Sequence, residues 1–157
     1  MDSGNDNEPG LRLWLHSRRL ATAWTATLLL LGSGLAADTP PDDAQRAREV
    51  VERQLRAFAA DDARQAFALA DPGLQRRYAD PHHFLAMVRA HYPMVHRPAS
   101  VLFLKVETAG PDALQRVRFT DEQGGGWLAT YLLHRQQDRQ WRISACVVVP
   151  SAPRLSA

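Results

Sequence analysis

The stretch Val101-Leu-Phe-Leu-Lys-Val-Glu-Thr-Ala-Gly-Pro-Asp-Ala-Leu-Gln-Arg-Val-Arg-Phe-Thr120 decides the fold. Two strand-like runs, Val101 to Thr108 and Ala113 to Thr120, flank Ala109-Gly-Pro-Asp112, a spacer short enough for an antiparallel hairpin. The texture continues downstream. Asp121-Glu-Gln-Gly-Gly-Gly126 leads into a third run, Trp127 to His134, and Arg135 to Gln140 leads into a fourth, Trp141 to Val149. Four strands in a meander are expected. On the first of them, alternation places Leu102, Leu104 and Val106 on one face and Lys105 and Glu107 on the other, so Glu107 points to solvent if the leucines point inward.

Upstream of the strands the period changes to that of helices. Ala47, Val50, Val51, Leu55 and Phe58 recur at helical spacing while Arg46, Glu49, Glu52, Arg53 and Arg56 fill the other face. Asp61-Asp62 offers a cap for a second helix carrying Ala63, Ala66, Phe67 and Ala70, closed by Asp71-Pro72-Gly73. Asp80-Pro81 repeats the start signal for a third, with Phe84, Leu85, Met87 and Val88 on one side as far as Tyr92-Pro93. The expected fold class is therefore α+β: three N-terminal helices packed on a curved four-stranded antiparallel sheet.

Further upstream lies a targeting pattern. Arg12, Arg18 and Arg19 precede an apolar run from Leu20 to Leu31, followed by Gly32-Ser-Gly-Leu-Ala-Ala37 and the polar Asp38-Thr-Pro-Pro-Asp-Asp43. Charged, apolar and small-residue regions in that order are a secretory signal, and Gly34 and Ala36 place cleavage after Ala36. The alternative is an uncleaved anchor, since Leu20 to Ala37 approaches bilayer-spanning length. The expected organisation is a signal segment at 1–36, a linker at 37–42, one domain at 43–150 and a tail at 151–157, in a protein that is exported, periplasmic or secreted.

Charge excludes one class of partner. Nineteen basic and 17 acidic residues nearly cancel, and no Lys/Arg block tracks a phosphate backbone, so nucleic acid is not expected. The single cysteine, Cys146, excludes an intrachain disulfide, leaving stability to the core.

The ordered landmarks Phe58-Ala-Ala-Asp-Asp-Ala63, Ala66-Phe67-Ala68, Asp71-Pro72, Phe84 with Met87-Val88, Tyr92-Pro-Met-Val95, Arg97-Pro98, Trp127-Leu-Ala-Thr-Tyr131 and Trp141-Arg-Ile143 with Cys146 resemble an exported bacterial family, domain of unknown function 4864. That resemblance implies a cone like that of nuclear transport factor 2, a cystatin-like fold shared with the SnoaL-like proteins. It implies no reaction. Ala145, Met94 and Arg139 depart from the family pattern, in which glycine, proline and glycine are the common residues.

Enzymes of that larger group place a carboxylate base inside an apolar cone. Here Asp61, Asp62, Asp71, Asp80, Asp112 and Asp121 all fall at expected caps or turns. No catalytic residue is assigned. His82, His83, His91, His96 and His134 lack metal-ligand spacing, so neither a metal nor another cofactor is expected. Cys146 sits among valines as a small core residue, on the opposite parity from Trp141. Candidate ligand-binding residues are Tyr92, His96 and Arg97, on a loop stiffened by Pro93 and Pro98, together with Tyr131 and Phe58. Arg97 has a rival role, tying that loop to backbone carbonyls or to Asp121.

The expected function is a non-catalytic module binding a small ligand or a partner in the apolar cone. An isomerase- or hydrolase-like enzyme is the alternative, and an envelope structural or assembly partner the third reading. Expected partners are a small apolar or anionic ligand and a protein or second copy of the chain through the sheet. Membrane contact is expected only through an uncleaved signal segment.

Overall fold

A computed structural model describes residues 41–151. The signal segment, its cleavage site, linker residues 37–40 and tail residues 152–157 lie outside the described residues. The first helix, α1 (Pro41–Ala59), begins inside the expected linker, and the last strand includes Ser151. The other helices are α2 (Ala63–Ala68), α3 (Pro72–Tyr78), α4 (Pro81–His91) and α5 (Pro93–His96).

Five helices stand where three were expected, because Asp71-Pro72 opens α3 and does not merely close α2, and Pro93 opens the short α5. The Asp71 side chain accepts from the Leu74 amide at 2.7 Å, just as Asp62 caps α2 through Gln65 and Asp80 caps α4 through His83. Gly73 reads as a breaker, yet it sits in the first turn of α3. A Cβ there would lie 3.3 Å from the capping oxygen of Asp71. The expected fold class holds: the helices cover one face of a wholly antiparallel sheet.

That sheet has five strands, not four: β1 (Ser100–Phe103), β2 (Glu107–Ala109), β3 (Asp112–Thr120), β4 (Gly126–Arg135) and β5 (Trp141–Ser151). Their order is β1-β3-β4-β5, with β2 also paired to β3. The expected first strand breaks at Leu104–Val106. There the buried amide of Gln115 reaches sideways and donates to the Leu104 carbonyl at 2.8 Å. The face assignment of this strand changes too: Leu102 is 48% exposed, whereas Phe103 packs against the core. Glu107 remains on the surface, where it pairs with Arg116.

Strict alternation governs β3 and β4, which bury Val117, Phe119, Ala129, Tyr131 and Leu133 on the helix-facing side. Trp127 is partly buried against them. On β5, Trp141 and Ile143 share that face, and then the register shifts at Leu132/Leu133. This bulge turns Cys146 and Val148 inward, against the parity expected for Cys146. Helices and sheet are locked where Ile143 exchanges backbone hydrogen bonds with Leu69 and Asp71, at 3.0 and 2.8 Å. Phe84 centres the interior, 5.8 Å from Phe58, 5.7 Å from Phe67 and 5.2 Å from Tyr78 between ring centroids.

Candidate functional site

Asp61 gathers side chains from α4, α5 and the loop that follows α5. It lies in the left-handed region, φ 57°, as the residue after the α1 C-cap. The amides of Asp62 and Asp61 close back on the Ala57 and Phe58 carbonyls at 2.8 and 3.0 Å, a Schellman motif whose left-handed position usually holds glycine. One carboxylate oxygen meets Arg89 Nη2 and His96 Nε2, each at 2.6 Å, and the other accepts from Arg97 Nη2 at 2.7 Å. At that separation from a carboxylate, Nε2 carries the shared proton. The 3.4 Å approach of Arg89 Nε to the same nitrogen is then a contact without a hydrogen bond. The His96 bond, followed by Arg89 and Arg97, holds the Asp61 carboxyl below its ordinary value against the opposing effect of desolvation.

Arg97 also borders a groove of about 500 Å³ between α1 and β1. Leu55, Ala59, Pro98, Val101 and Phe103 form its apolar surface, with Glu52, Arg56 and Arg97 around it. A second compartment of about 510 Å³ runs along the N-terminal half of α1, past Ala44, Arg48 and Glu49 on one side and Leu104, Lys105 and Val106 on the other. Glu52 borders both, and Arg48 lies over the Phe103 ring at 4.8 Å, marking the junction.

The interior offers different chemistry. Gln115, Tyr131 and Cys146 are cross-strand partners in one row on the helix-facing side. Gln54 and Gln115 are the buried amide side chains among the described residues, and Tyr92 and Trp141 are buried as well. The Tyr131 hydroxyl makes no full hydrogen bond; the Cys146 thiol beside it is a weak partner. Burial pushes both groups well above their ordinary ionisation range, so both stay protonated and neutral. Among the described residues no group of three or more His, Cys, Asp or Glu could hold a metal ion.

Residues 40–155 match a protein family described as Domain of unknown function (DUF4864). The chain belongs to this family. An NTF-2-like protein of unknown function from Burkholderia xenovorans LB400 is a structural relative at 15% identity and TM-score 0.47, covering 72% of this chain and 88% of its own. No curated protein matches the chain.

The landmarks of this DUF4864 domain divide between core and surface. Of the five candidate residues, His96 and Arg97 converge on Asp61, whereas Phe58 and Tyr131 are 2% and 1% exposed inside the core. Tyr92 is also buried, at the joint of α4 and α5, its carbonyl accepting from Val95 and His96. Arg97 does brace its loop, but through Asp61. Asp121 instead binds the Trp127 indole at 2.8 Å and the Gly125 amide at 2.7 Å; these bonds, with that of Gln123, lower its pKa. A Cβ on Gly125 would stand 2.6 Å from an Asp121 oxygen, which explains glycine there. Arg139 has φ 65°, a conformation suited to the glycine that the resemblance implied there, and Ala145 lies at the β5 bulge.

Sequence reading missed Asp61 as a hub, Arg89 as its partner and the whole α1–β1 groove. The available signal for Asp61 was the doubled Asp61-Asp62, since only one of the two can cap α2.

Proposed function

We propose that this DUF4864 domain is a non-catalytic binding module whose site is the α1–β1 groove, and that its ligand joins an apolar body to an anionic group. One observation carries the reading: the apolar surface of Leu55, Ala59, Pro98, Val101 and Phe103 lies beside the guanidinium-bearing Arg56 and Arg97 in a single groove. Apolar contact supplies affinity and the planar donors of arginine fix an anionic head. The Asp61 cluster supports this role by holding Arg97 through its Nη2.

The isomerase- or hydrolase-like alternative asks for a base inside the cone. Neither Gln54 nor Gln115 can accept a proton at neutral pH, and the acids named above are engaged at caps, turns and surface ion pairs. Export to the periplasm belongs to the same proposal and rests on residues 12–37.

Calorimetric titration with dodecanoate tests the site. Saturable binding is expected, weakened by Phe103→Glu and by Arg97→Ala. Binding that neither substitution alters would place the ligand elsewhere. Absence of binding by both dodecanoate and apolar peptide acids would end the reading.

A further inference from the structure

What fills the groove can be argued further, resting on the reading of that groove as the binding site. β1 is the outermost strand on its side of the sheet, with β3 its partner. In its register Ser100 faces Thr120 and Leu102 faces Arg118, and the Leu104 amide donates to the Arg116 carbonyl at 2.9 Å. Antiparallel pairing therefore turns the backbone groups of Ser100, Leu102 and Leu104 toward β3. Those of Val101 and Phe103 point to the open edge. The same two residues turn their side chains into the groove.

Among the described residues, a strand edge without a backbone partner and the apolar α1–β1 groove thus stand side by side. Val101 and Leu102, on this strand, are 41% and 48% exposed and are the exposed large hydrophobics among the described residues. The groove and the second compartment, which meet where Arg48 lies over Phe103, together flank α1 from Ala44 to Ala59, about 22 Å at 1.5 Å per residue. Six or seven extended residues at about 3.3 Å each fill that length. The borders of the two compartments carry Arg48, Arg56, Arg97 and Lys105 against Glu49 and Glu52, with Asp61 behind Arg97 as a third acid, which leaves one positive charge in excess. Both glutamates are engaged on α1, Glu49 by Gln45 and Glu52 by Arg48 and, at 3.9 Å, by Arg56. Arg56 and Arg97 stand at the Ser100 end of the strand, the end that receives the C-terminus of an antiparallel newcomer.

We propose that the groove takes an extended peptide that adds antiparallel to the free edge of β1. Its alternate apolar side chains lie against Leu55, Ala59, Val101 and Phe103, and its terminal carboxylate sits beside Arg56 and Arg97. Main-chain hydrogen bonds supply affinity in such strand addition, and the side chains facing the groove supply selectivity. The shortness of β1 and the charge of Lys105 limit indiscriminate pairing at the same edge.

Fluorescence anisotropy of the full chain tests this with a labelled octapeptide that alternates valine and threonine and ends in a free carboxylate. Two further peptides carry N-methyl groups on one or the other alternate set of amides, and dodecanoate serves as the competitor. The parent peptide is expected to bind. One methylated set weakens it by about tenfold or more, while the set facing solvent is tolerated. Amidating the terminus weakens binding as well, and Arg56→Gln shrinks that difference. Equal binding by all three peptides overturns strand addition. Dodecanoate binding without peptide binding overturns it too, and leaves the groove as the ligand site. Failure of both probes ends the two readings together.

Discussion

Asp61 Oδ1 and His96 Nε2 stand 2.6 Å apart, although 35 residues separate them in the chain. The contact ties the C-terminal end of α1 to the last residue of α5, and Arg89 and Arg97 join it from α4 and the following loop. Asp61 holds this position in a backbone conformation that costs an L-residue free energy, so its side-chain bonds offset a local strain.

Replacement of Asp61 separates the two effects. Asp61→Asn keeps a residue tolerated in the left-handed region but removes the charge, and should lower the melting temperature near neutral pH. The native carboxyl ionises below its ordinary value of 3.8, so its contribution is present above that value and is lost as pH falls through the lowered native pKa. The wild-type and Asp61→Asn melting curves should therefore converge in acid. A difference that persists unchanged at about pH 2 would mean that Asp61 acts through its backbone or cap and not through its charge.

Arg139→Gly should stabilise the domain. Arg139 has φ 65° in the β4–β5 turn, where its amide donates to the Gln136 carbonyl at 2.9 Å. Relief of a left-handed cost of about 1–2 kcal/mol outweighs the added flexibility of glycine in the unfolded chain, for a net gain of about 0.5–1 kcal/mol. Urea unfolding would show a higher midpoint with the same slope. A lower midpoint would mean that the arginine side chain contributes more than its backbone loses.

Tyr131→Phe should be tolerated despite complete burial. The hydroxyl lacks a full partner, so its removal changes stability by less than about 1 kcal/mol in either direction, measurable by chemical denaturation. Large destabilisation would reveal a hydrogen bond through the Cys146 thiol.

Native-state labelling reports on that thiol directly. Burial raises its pKa, so at about pH 8 Cys146 stays protonated and shielded, and a disulfide reagent should modify it only at the rate of unfolding. Rapid modification of the folded protein would place Cys146 at an accessible site.

Export is expected to remove residues 1–36. Intact-mass measurement of protein recovered from the periplasm should give a chain beginning at Ala37. A membrane-bound product that retains Trp14 and Trp24 would support the anchor.

The sequence by itself determined the succession of helices before strands, the Asp-Pro caps, and most residues of the inner face. These follow from local rules: side chains three or four apart share a helix face, alternate residues share a strand face, and a short side-chain oxygen satisfies the first amides of a helix. Val117 and Phe119 share one parity, as do Trp141 and Ile143, and with Tyr131 they lie on the buried face as that rule requires. Only the tertiary structure decided what depends on contacts between distant segments. The Gln115 amide that breaks the edge strand lies 11 residues from its acceptor Leu104, and the bulge that turns Cys146 inward exists only against β4. Asp61 reads as a second helix cap until folding brings Arg89, His96 and Arg97 to it. The groove, too, is a space between α1 and β1, and its side chains acquire a common purpose only when packing sets helix and strand edge side by side.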